Sequence, residues 1–336
     1  MKVAHFANFA PYISGQFATV IDFIKAERMQ GINAQLIDFA SKENYVSRVG
    51  LDYEGVKTIE PKWSYDADIL IRHSFIPFEI DELKKPTIMM LHGRPEGSFL
   101  LDIYGINPVY TFVSKNNTYK AFLVFLKEVV FNWSLIIDSS KLFYVPAPVD
   151  LTKFLPEGQT FSFQTNQPNI LCVDAWREDV TPYNVLLAAV KFVKEFGGKI
   201  HIFGVPFNSK IKSLLLDSLQ AKGFIGEIFP LIDNISDVYR SADMVITPHI
   251  VATRVIRESL ACGLPIIAGG KNNFTSYYAN PRNIDEFATE IGRCWQDSKN
   301  GELRKECRRI AEKEFSLEKT GKEMKAILEL IYGNNK

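Results

Sequence analysis

The chain has 336 residues, which is enough for two domains of ordinary size. Lysine plus arginine and aspartate plus glutamate number 39 each, so the overall charge gives no attraction to nucleic acid or to an anionic membrane. The longest apolar stretch is interrupted by Lys127, Glu128 and Asn132, and the N-terminus lacks the pattern of a signal peptide. We therefore expect a globular, cytoplasmic protein without a transmembrane segment.

The first half of the chain alternates apolar strand-like runs with helical segments. After "KVAHFA", a helix is predicted over roughly Gln16 to Gln30, where Gly31 ends it. The strand-like runs that follow are "NAQLIDF", "ADILIRHS", "PTIMMLHG", "VYTFVS" and "LFYVPAP". This alternation predicts a parallel sheet with helices on both faces.

The second half repeats the same rhythm. Its strand-like runs are "PNILCVDA", "KIHIFG", "GEIFPL", "ADMVITP" and "PIIAGG", and helices are predicted over about 182–196 and 210–222. Residues 281–297 and 302–332 form a helical last part. A polar, proline-bracketed stretch from Pro156 to Asn169 reads as the linker. The sequence thus predicts an α/β protein with two Rossmann-like domains.

The cysteines and histidines give no sign of a metal site. Cys172, Cys262, Cys294 and Cys307 form no CxxC pair, and the five histidines are scattered along the chain. We expect reduced, mostly buried thiols, no metal and no cofactor.

Four segments in the second half, taken together, resemble a known family. They are "LFYVPAPVDLTKFLPEG", "ISDVYRSADMVITP", "RESLACGLPIIAGG" and "EFSLEKTGKEMKAILELIY". In this order and spacing they resemble the nucleotide-sugar glycosyltransferases with the GT-B fold, especially family 4. The resemblance implies two Rossmann-like domains facing each other across a cleft. Residues 1–155 would bind the acceptor, 165–317 would bind the donor, and a helix at about 318–336 would pack back on the first domain.

The segment "TPHIVATRVIRESLACGLPIIAGG" would hold the donor's diphosphate. A helix that begins near Ala252 to Arg254 offers free N–H groups, including those of Thr253 and Val255, and the guanidinium of Arg254 suits phosphate oxygens. The resemblance places Glu258 on the glutamate that holds the ribose hydroxyls. The alternative for Arg254 and Glu258, which are four residues apart, is an exposed ion pair along the helix.

The sequence departs from the family at two places. Ile250 stands where the family has the first glutamate of its Glu-x7-Glu motif. Trp176 and Thr181 stand where it has an arginine and a lysine aimed at the diphosphate, and the neighbouring Arg177 is either a displaced phosphate ligand or a surface arginine. Leu231 lies in the segment expected to meet the nucleotide base.

In the first half, four residues are candidates for the sugar and acceptor side. Gly15 opens a helix and lets backbone approach a ligand, or else serves a simple strand-to-helix turn. His92 follows a strand and is either a hydrogen-bonding partner of the substrates or a buried structural histidine. Arg94 is a candidate acceptor contact, and Glu96 is a candidate base if the reaction inverts.

The predicted function is transfer of a hexose, most simply from a UDP-sugar, to a hydroxyl acceptor. The resemblance implies a retaining, metal-independent reaction. A glycan, lipid or small-molecule acceptor is favoured. One alternative is a phage-type DNA glycosyltransferase acting on a hydroxymethylated base, because "ATRVIRE" is loosely similar to a helix of those enzymes. Another is a catalytically silent nucleotide-sugar or glycan-binding module, which the missing first glutamate favours. An epimerase on the same fold is a third.

Overall fold

The computed structural model describes residues 1–7, 15–39, 47–73, 84–93, 119–163, 168–173, 183–204, 214–229, 232 and 234–333. These residues fall into two compact units. Unit 1 comprises 1–150 together with 314–336, and unit 2 comprises 151–313. The sequence predicted a first domain of residues 1–155, a second of 165–317 and a C-terminal helix from about 318. No helix within the described part is long and apolar enough to cross a membrane.

Unit 1 is built on a seven-stranded sheet in the order β3-β2-β1-β6-β7-β8-β9. Its strands are β1 (Lys2–Ala7), β2 (Asn33–Phe39), β3 (Ser47–Arg48), β6 (Ile69–Arg72), β7 (Thr87–Leu91), β8 (Tyr119–Val124) and β9 (Leu142–Tyr144). All neighbours pair parallel except β3, which pairs antiparallel with β2. The small hairpin β4 (Asp52–Tyr53) and β5 (Val56–Lys57) stands apart from this sheet. The central strands β6 and β7 are fully buried, as is typical of parallel strands between helical layers.

The helices of unit 1 come from both of its chain segments. They are α1 (Gly15–Met29), the short α2 (Val130–Ser134) and α9 (Leu317–Gly333). Helix α9 packs along α1. A Cβ atom on Gly321 would lie 2.4 Å from the carbonyl oxygen of Ala26, so the absence of a side chain there permits the close approach of the two helices.

Unit 2 is a five-stranded parallel sheet in the order β12-β11-β10-β13-β14. Its strands are β10 (Asn169–Val173), β11 (Lys199–Phe203), β12 (Ile225–Phe229), β13 (Met244–Ile246) and β14 (Ile266–Ile267). Its helices are α3 (Tyr183–Phe196), α4 (Leu214–Ala221), α5 (Ile235–Ser241), α6 (Arg254–Ala261), α7 (Ile284–Ser298) and α8 (Glu302–Phe315). Strands and helices enclose one apolar core, to which α3 and α7 contribute most of the helical side chains.

The predicted α/β class with parallel sheets is confirmed, and two local differences have simple causes. Strand β8 lies in an apolar run that continues into the next helices without a turn signal, so the sequence did not separate it. The helical stretch predicted over 302–332 is divided into α8 and α9, because the Ser316 hydroxyl accepts a hydrogen bond from the amide of Lys319 and caps α9, which is the helix expected at about 318–336. The run "VYTFVS" lies outside the described residues.

Candidate functional site

The candidate donor site lies where the strand order of unit 2 reverses. From β10 the chain builds outward through β11 and β12, and it then returns to place β13 on the other side of β10. The carboxyl ends of β10 and β13 therefore lie side by side at the same edge of the sheet. In open parallel sheets such a reversal point is where ligands bind, outside the carboxyl ends of the strands.

The loop after β13 is held by the glycines that follow β14. A Cβ atom on Gly269 would lie 1.9 Å from the carbonyl oxygen of Pro248, and one on Gly270 would lie 2.7 Å from Cγ2 of Ile250. The amide of Gly269 also donates to the carbonyl of His249 at 3.0 Å. Glycine at both positions thus allows the loop to lie directly on the neighbouring chain segment.

Helix α6 begins immediately after this loop and carries an ordered arginine–glutamate pair. The Nε of Arg254 donates to Oε1 of Glu258 at 2.5 Å, and both side chains are about 10% exposed. The hydroxyl of Tyr239, from α5, donates to Oε2 of the same carboxylate at 3.2 Å. Both oxygens of Glu258 are therefore oriented, so the pair is not the exposed ion pair that was the sequence-based alternative.

Two aromatic side chains complete the surroundings of the pair. The guanidinium carbon of Arg254 lies 5.5 Å from the ring centroid of Phe154, within range of a cation–π contact. Tyr239 is fully buried. Burial and the neighbouring carboxylate of Glu258 raise the pKa of Tyr239 well above its ordinary value, so its hydroxyl remains a proton donor.

The N-terminus of α6 is not capped by its own N-cap residue. Thr253 occupies the N-cap position, but its side chain makes no capping hydrogen bond. Its Oγ1 is buried and has no hydrogen-bond partner among the described residues. Since the first turn of a helix presents N–H groups without intrahelical acceptors, this end of α6 is chemically suited to an anion.

The other predicted donor-site residues divide into two groups. Val255 lies in the first turn of α6, next to Arg254. Ile250, at the position of the missing glutamate, contacts the backbone of the glycine segment after β14. Arg177 and Leu231 lie outside the described residues.

In unit 1, Gly15 is the first residue of α1, and His92 directly follows β7. Arg94 and Glu96 lie outside the described residues. His92 is linked to a buried chain of polar side chains: its Nε2 lies 3.0 Å from Nδ1 of His73. In turn, Nε2 of His73 lies 2.8 Å from Nδ1 of His5, and Nε2 of His5 lies 2.9 Å from Oε2 of Glu27.

Several residues of these sites could not be assigned from the sequence. Tyr239 and Phe154 reach the pair on α6 from 15 to about 100 positions away, and neither spacing follows a local period. Likewise, His5 lies in β1, whereas His73 follows β6 and His92 follows β7. The available signal was that each of the last two directly follows an apolar strand-like run.

The remaining titratable groups point to structural roles. The four cysteines are buried and form no disulfide, and burial raises the pKa of both Cys262 and Cys307 to about 12, which keeps these thiols protonated and unreactive. Among the residues that the structure describes, no group of three histidine, cysteine or acidic side chains has the arrangement of a metal site.

Comparison with known proteins agrees with this geometry. Residues 167–297 match the family model described as "Glycosyl transferases group 1". A search of curated proteins found no significant match. Among solved structures, a glycosyltransferase from Rickettsia africae superimposes with a TM-score of 0.72 at 16% identity, covering 99% of each chain.

Two other structures of similar size have the same fold. The Anabaena protein HepE, in complex with UDP and glucose, matches with a TM-score of 0.70 at 12% identity over 98% of this chain and 99% of that one. An α-glucosyltransferase in complex with UDP-glucose and DNA containing an abasic site matches with a TM-score of 0.68 at 12% identity, over 97% and 99%.

The fold and the matched segment together give the class that the chain is similar to. The chain has the GT-B fold, and its residues 167–297 match the group 1 glycosyl transferases. The matched segment lies in unit 2 and includes all of α6 and Tyr239, which donates to Glu258 from α5. The resemblance inferred from the sequence motifs is thereby confirmed.

Proposed function

We propose that the protein transfers a hexose from a nucleotide-sugar donor, a UDP-hexose, to a hydroxyl acceptor, with retention of configuration and without a metal ion. The observation that carries the proposal is the buried Tyr239–Glu258–Arg254 cluster at the uncapped N-terminus of α6. It combines groups for a diphosphate and for a ribose at the reversal point of one sheet.

The diphosphate of the donor becomes the leaving group, so catalysis requires stabilisation of the negative charge that develops on it. The N-terminus of α6 contributes oriented N–H groups and the positive end of the helix dipole. Arg254 adds a fixed cation whose position is set by Glu258 and by the ring of Phe154. These groups supply the stabilisation that a metal ion supplies in other transferases.

Glu258 is suited to hold the two vicinal hydroxyls of the ribose. A carboxylate offers about four lone-pair sites, and the contacts with Arg254 and Tyr239 use one on each oxygen. Because the carboxylate is already oriented before the donor binds, little conformational entropy is lost on binding. The choice of UDP rests on the UDP-containing structures of the same fold, and retention rests on the family resemblance.

The proposal is tested by measuring nucleotide release from a panel of UDP-, GDP- and ADP-hexoses. We expect release from one UDP-hexose, and a loss of ~100-fold or more in kcat/KM for Arg254→Ala and Glu258→Gln. Glu312→Gln is the matched control, because Glu312 also forms an i,i+4 pair with an arginine of unit 2 but lies on α8.

Calorimetric titration with UDP, combined with the release assay in the presence of a set of acceptors, separates the alternatives. Binding of UDP without release, with glycans, lipids and hydroxymethylated DNA all supplied, would identify a silent binding module. Release that depends on hydroxymethylated DNA would identify a DNA glycosyltransferase. Donor conversion without any acceptor, giving an isomeric sugar, would identify an epimerase.

A further inference from the structure

Four polar side chains form a continuous hydrogen-bonded chain through the interior of unit 1. It runs from Glu27 on α1 to His5 on β1, then to His73 after β6 and to His92 after β7, with contacts of 2.9, 2.8 and 3.0 Å. Glu27 and His5 are completely buried, and His73 is 2% exposed. Such groups are costly to bury, and packing alone gives no reason to align four of them.

The order of donors and acceptors along the chain follows from its carboxylate end. An ionised Glu27 only accepts, so Nε2 of His5 carries the proton of that contact. Nδ1 of His5 must then accept from Nε2 of His73, and Nδ1 of His73 must accept from Nε2 of His92. All three rings are thereby fixed in the Nε2–H tautomer, and Nδ1 of His92 is presented as an acceptor.

The hydrogen-bonded chain of these four side chains also determines how easily His92 takes up a proton. The three contacts hold three protons, and with Glu27 ionised the assembly has a net charge of −1. One further proton on Nδ1 of His92 makes it neutral. Because burial disfavours net charge, the buried carboxylate favours this uptake.

Within the described residues, no other side chain is paired with the carboxylate of Glu27. Oε1 of Glu27 is buried without a hydrogen-bond partner there. Lys25, also on α1, is paired with Glu54 and Asp150, and it lies close to Asp22. Arg72, next to His73, donates to the hydroxyl of Tyr119, which is itself part of β8. From α9 the contact to α1 is made at Gly321, and beside His92 the neighbouring ring is Phe125.

The central ring has the properties that a relay needs. Burial, followed by the neighbouring rings of His5 and His92, holds the pKa of His73 well below its ordinary value. His73 is therefore neutral at physiological pH. A neutral imidazole can pass a proton on because it donates at one nitrogen and accepts at the other.

We propose that Glu27, His5 and His73 are positioning residues that make His92 a proton acceptor for a substrate hydroxyl. When Nδ1 of His92 takes a hydroxyl proton, its Nε2 proton moves to Nδ1 of His73. The Nε2 proton of His73 moves to Nδ1 of His5, and that of His5 moves to Oε2 of Glu27. One proton enters, one carboxylate becomes neutral, and the four linked side chains carry no net charge. The catalytic use of this chain rests on the proposed transferase function, but its proton coupling does not.

The test is ¹⁵N NMR of histidine-labelled protein, with His92 assigned through His92→Gln. In the wild type at high pH we expect His92 in the Nε2–H tautomer. In Glu27→Gln a fourth proton would place a positive charge in the core, so the midpoint for His92 protonation should fall by about one pH unit or more. Glu54→Gln, which removes an exposed carboxylate from the same unit, should leave it unchanged. His201 is an internal reference.

The outcomes are distinct. An Nδ1–H tautomer of His92 in the wild type would overturn the proposal, whether or not Glu27→Gln folds. So would an unchanged midpoint in Glu27→Gln, because Glu27 and His5 would then form a fixed ion pair that does not communicate with His92. His73→Gln, which interrupts the chain at its centre, should reproduce the shift if Glu27→Gln does not fold.

The pH dependence of kcat provides a second test, because a purely structural role of Glu27 would not shift it. With Glu27→Gln we expect the acidic limb of the kcat–pH profile to move to lower pH, together with a lower maximum, since the base is weaker. A wild type that releases no nucleotide would refute the proposed function, and the NMR result would stand on its own.

Discussion

Arg254 and Glu258 lie one helical turn apart and meet at 2.5 Å, while Tyr239 holds the other oxygen of the same carboxylate. A buried charged pair is strongly coupled, because removing one member leaves the other uncompensated. On the proposed function, the pair would both stabilise unit 2 and bind the donor. Stability and donor binding should therefore respond together to its loss.

A double-mutant cycle measures this coupling. We expect Arg254→Ala and Glu258→Ala each to lower the free energy of unfolding by about 2–4 kcal/mol, and the double variant to cost less than their sum by about 1–3 kcal/mol. Urea unfolding of the four proteins gives the coupling energy. Strict additivity would show that the two side chains do not depend on each other.

Tyr239→Phe removes one hydroxyl from the cluster and little else. The lost hydrogen bond to Glu258 is worth about 1 kcal/mol, so we expect UDP to bind about fivefold more weakly. Because the pKa of Tyr239 is raised well above its ordinary value, the wild-type affinity should show no tyrosine titration up to about pH 10. Calorimetry across pH checks both statements. Equal affinity of the two proteins would remove Tyr239 from the site.

His201 should make unit 2 sensitive to acid. Its Nδ1 accepts from the backbone amide of Glu227 at 3.2 Å, so it cannot take a proton without losing that bond, and Nε2 faces Asn169 at 2.9 Å. Burial, with a smaller contribution from Lys199, lowers its pKa to about 4. Below about pH 6.5 the unfolded chain binds a proton that the folded one does not, and stability falls until about pH 4.

The expected slope from this one residue is at most about 1.4 kcal/mol per pH unit. His201→Gln should be less stable at neutral pH and show a smaller loss between pH 6.5 and 4. Chemical unfolding at several pH values measures the difference. If the two proteins lose stability in parallel as the pH falls, His201 is not the source of the acid sensitivity.

Two glycines in helices should respond oppositely to the same substitution. Gly321→Ala places a Cβ atom 2.4 Å from the carbonyl of Ala26 and should destabilise unit 1 by about 1–3 kcal/mol. Gly292→Ala, in the interior of α7 with no atom within 4 Å of the added Cβ, should stabilise unit 2 by about 0.5–1 kcal/mol. Thermal unfolding distinguishes the two. Similar shifts for both would mean that α9 does not need the close approach.

What the sequence could predict is mostly local. Strands follow a period of two residues, and Arg254 and Glu258 are four residues apart, so both features can be recognised in a short stretch of sequence. The capping by Ser316 was equally local, but the helical pattern on both sides masked it. The contacts from Tyr239 and Phe154, and the alignment of three histidines, depend on which strands become neighbours. That order is set by tertiary packing, and no short window contains it.

The placement of α9 has a consequence for how the protein is made. Unit 1 consists of residues 1–150 and 314–336, so unit 2 is inserted within it. During synthesis, α1 leaves the ribosome long before the helix that covers it, whereas all of unit 2 becomes available as one contiguous piece. Domains usually fold in the order in which they are synthesised. Here unit 2 can complete its fold before unit 1 can, although unit 1 begins first. Until residues 317–333 emerge, the face of α1 that they contact has no helix packed on it.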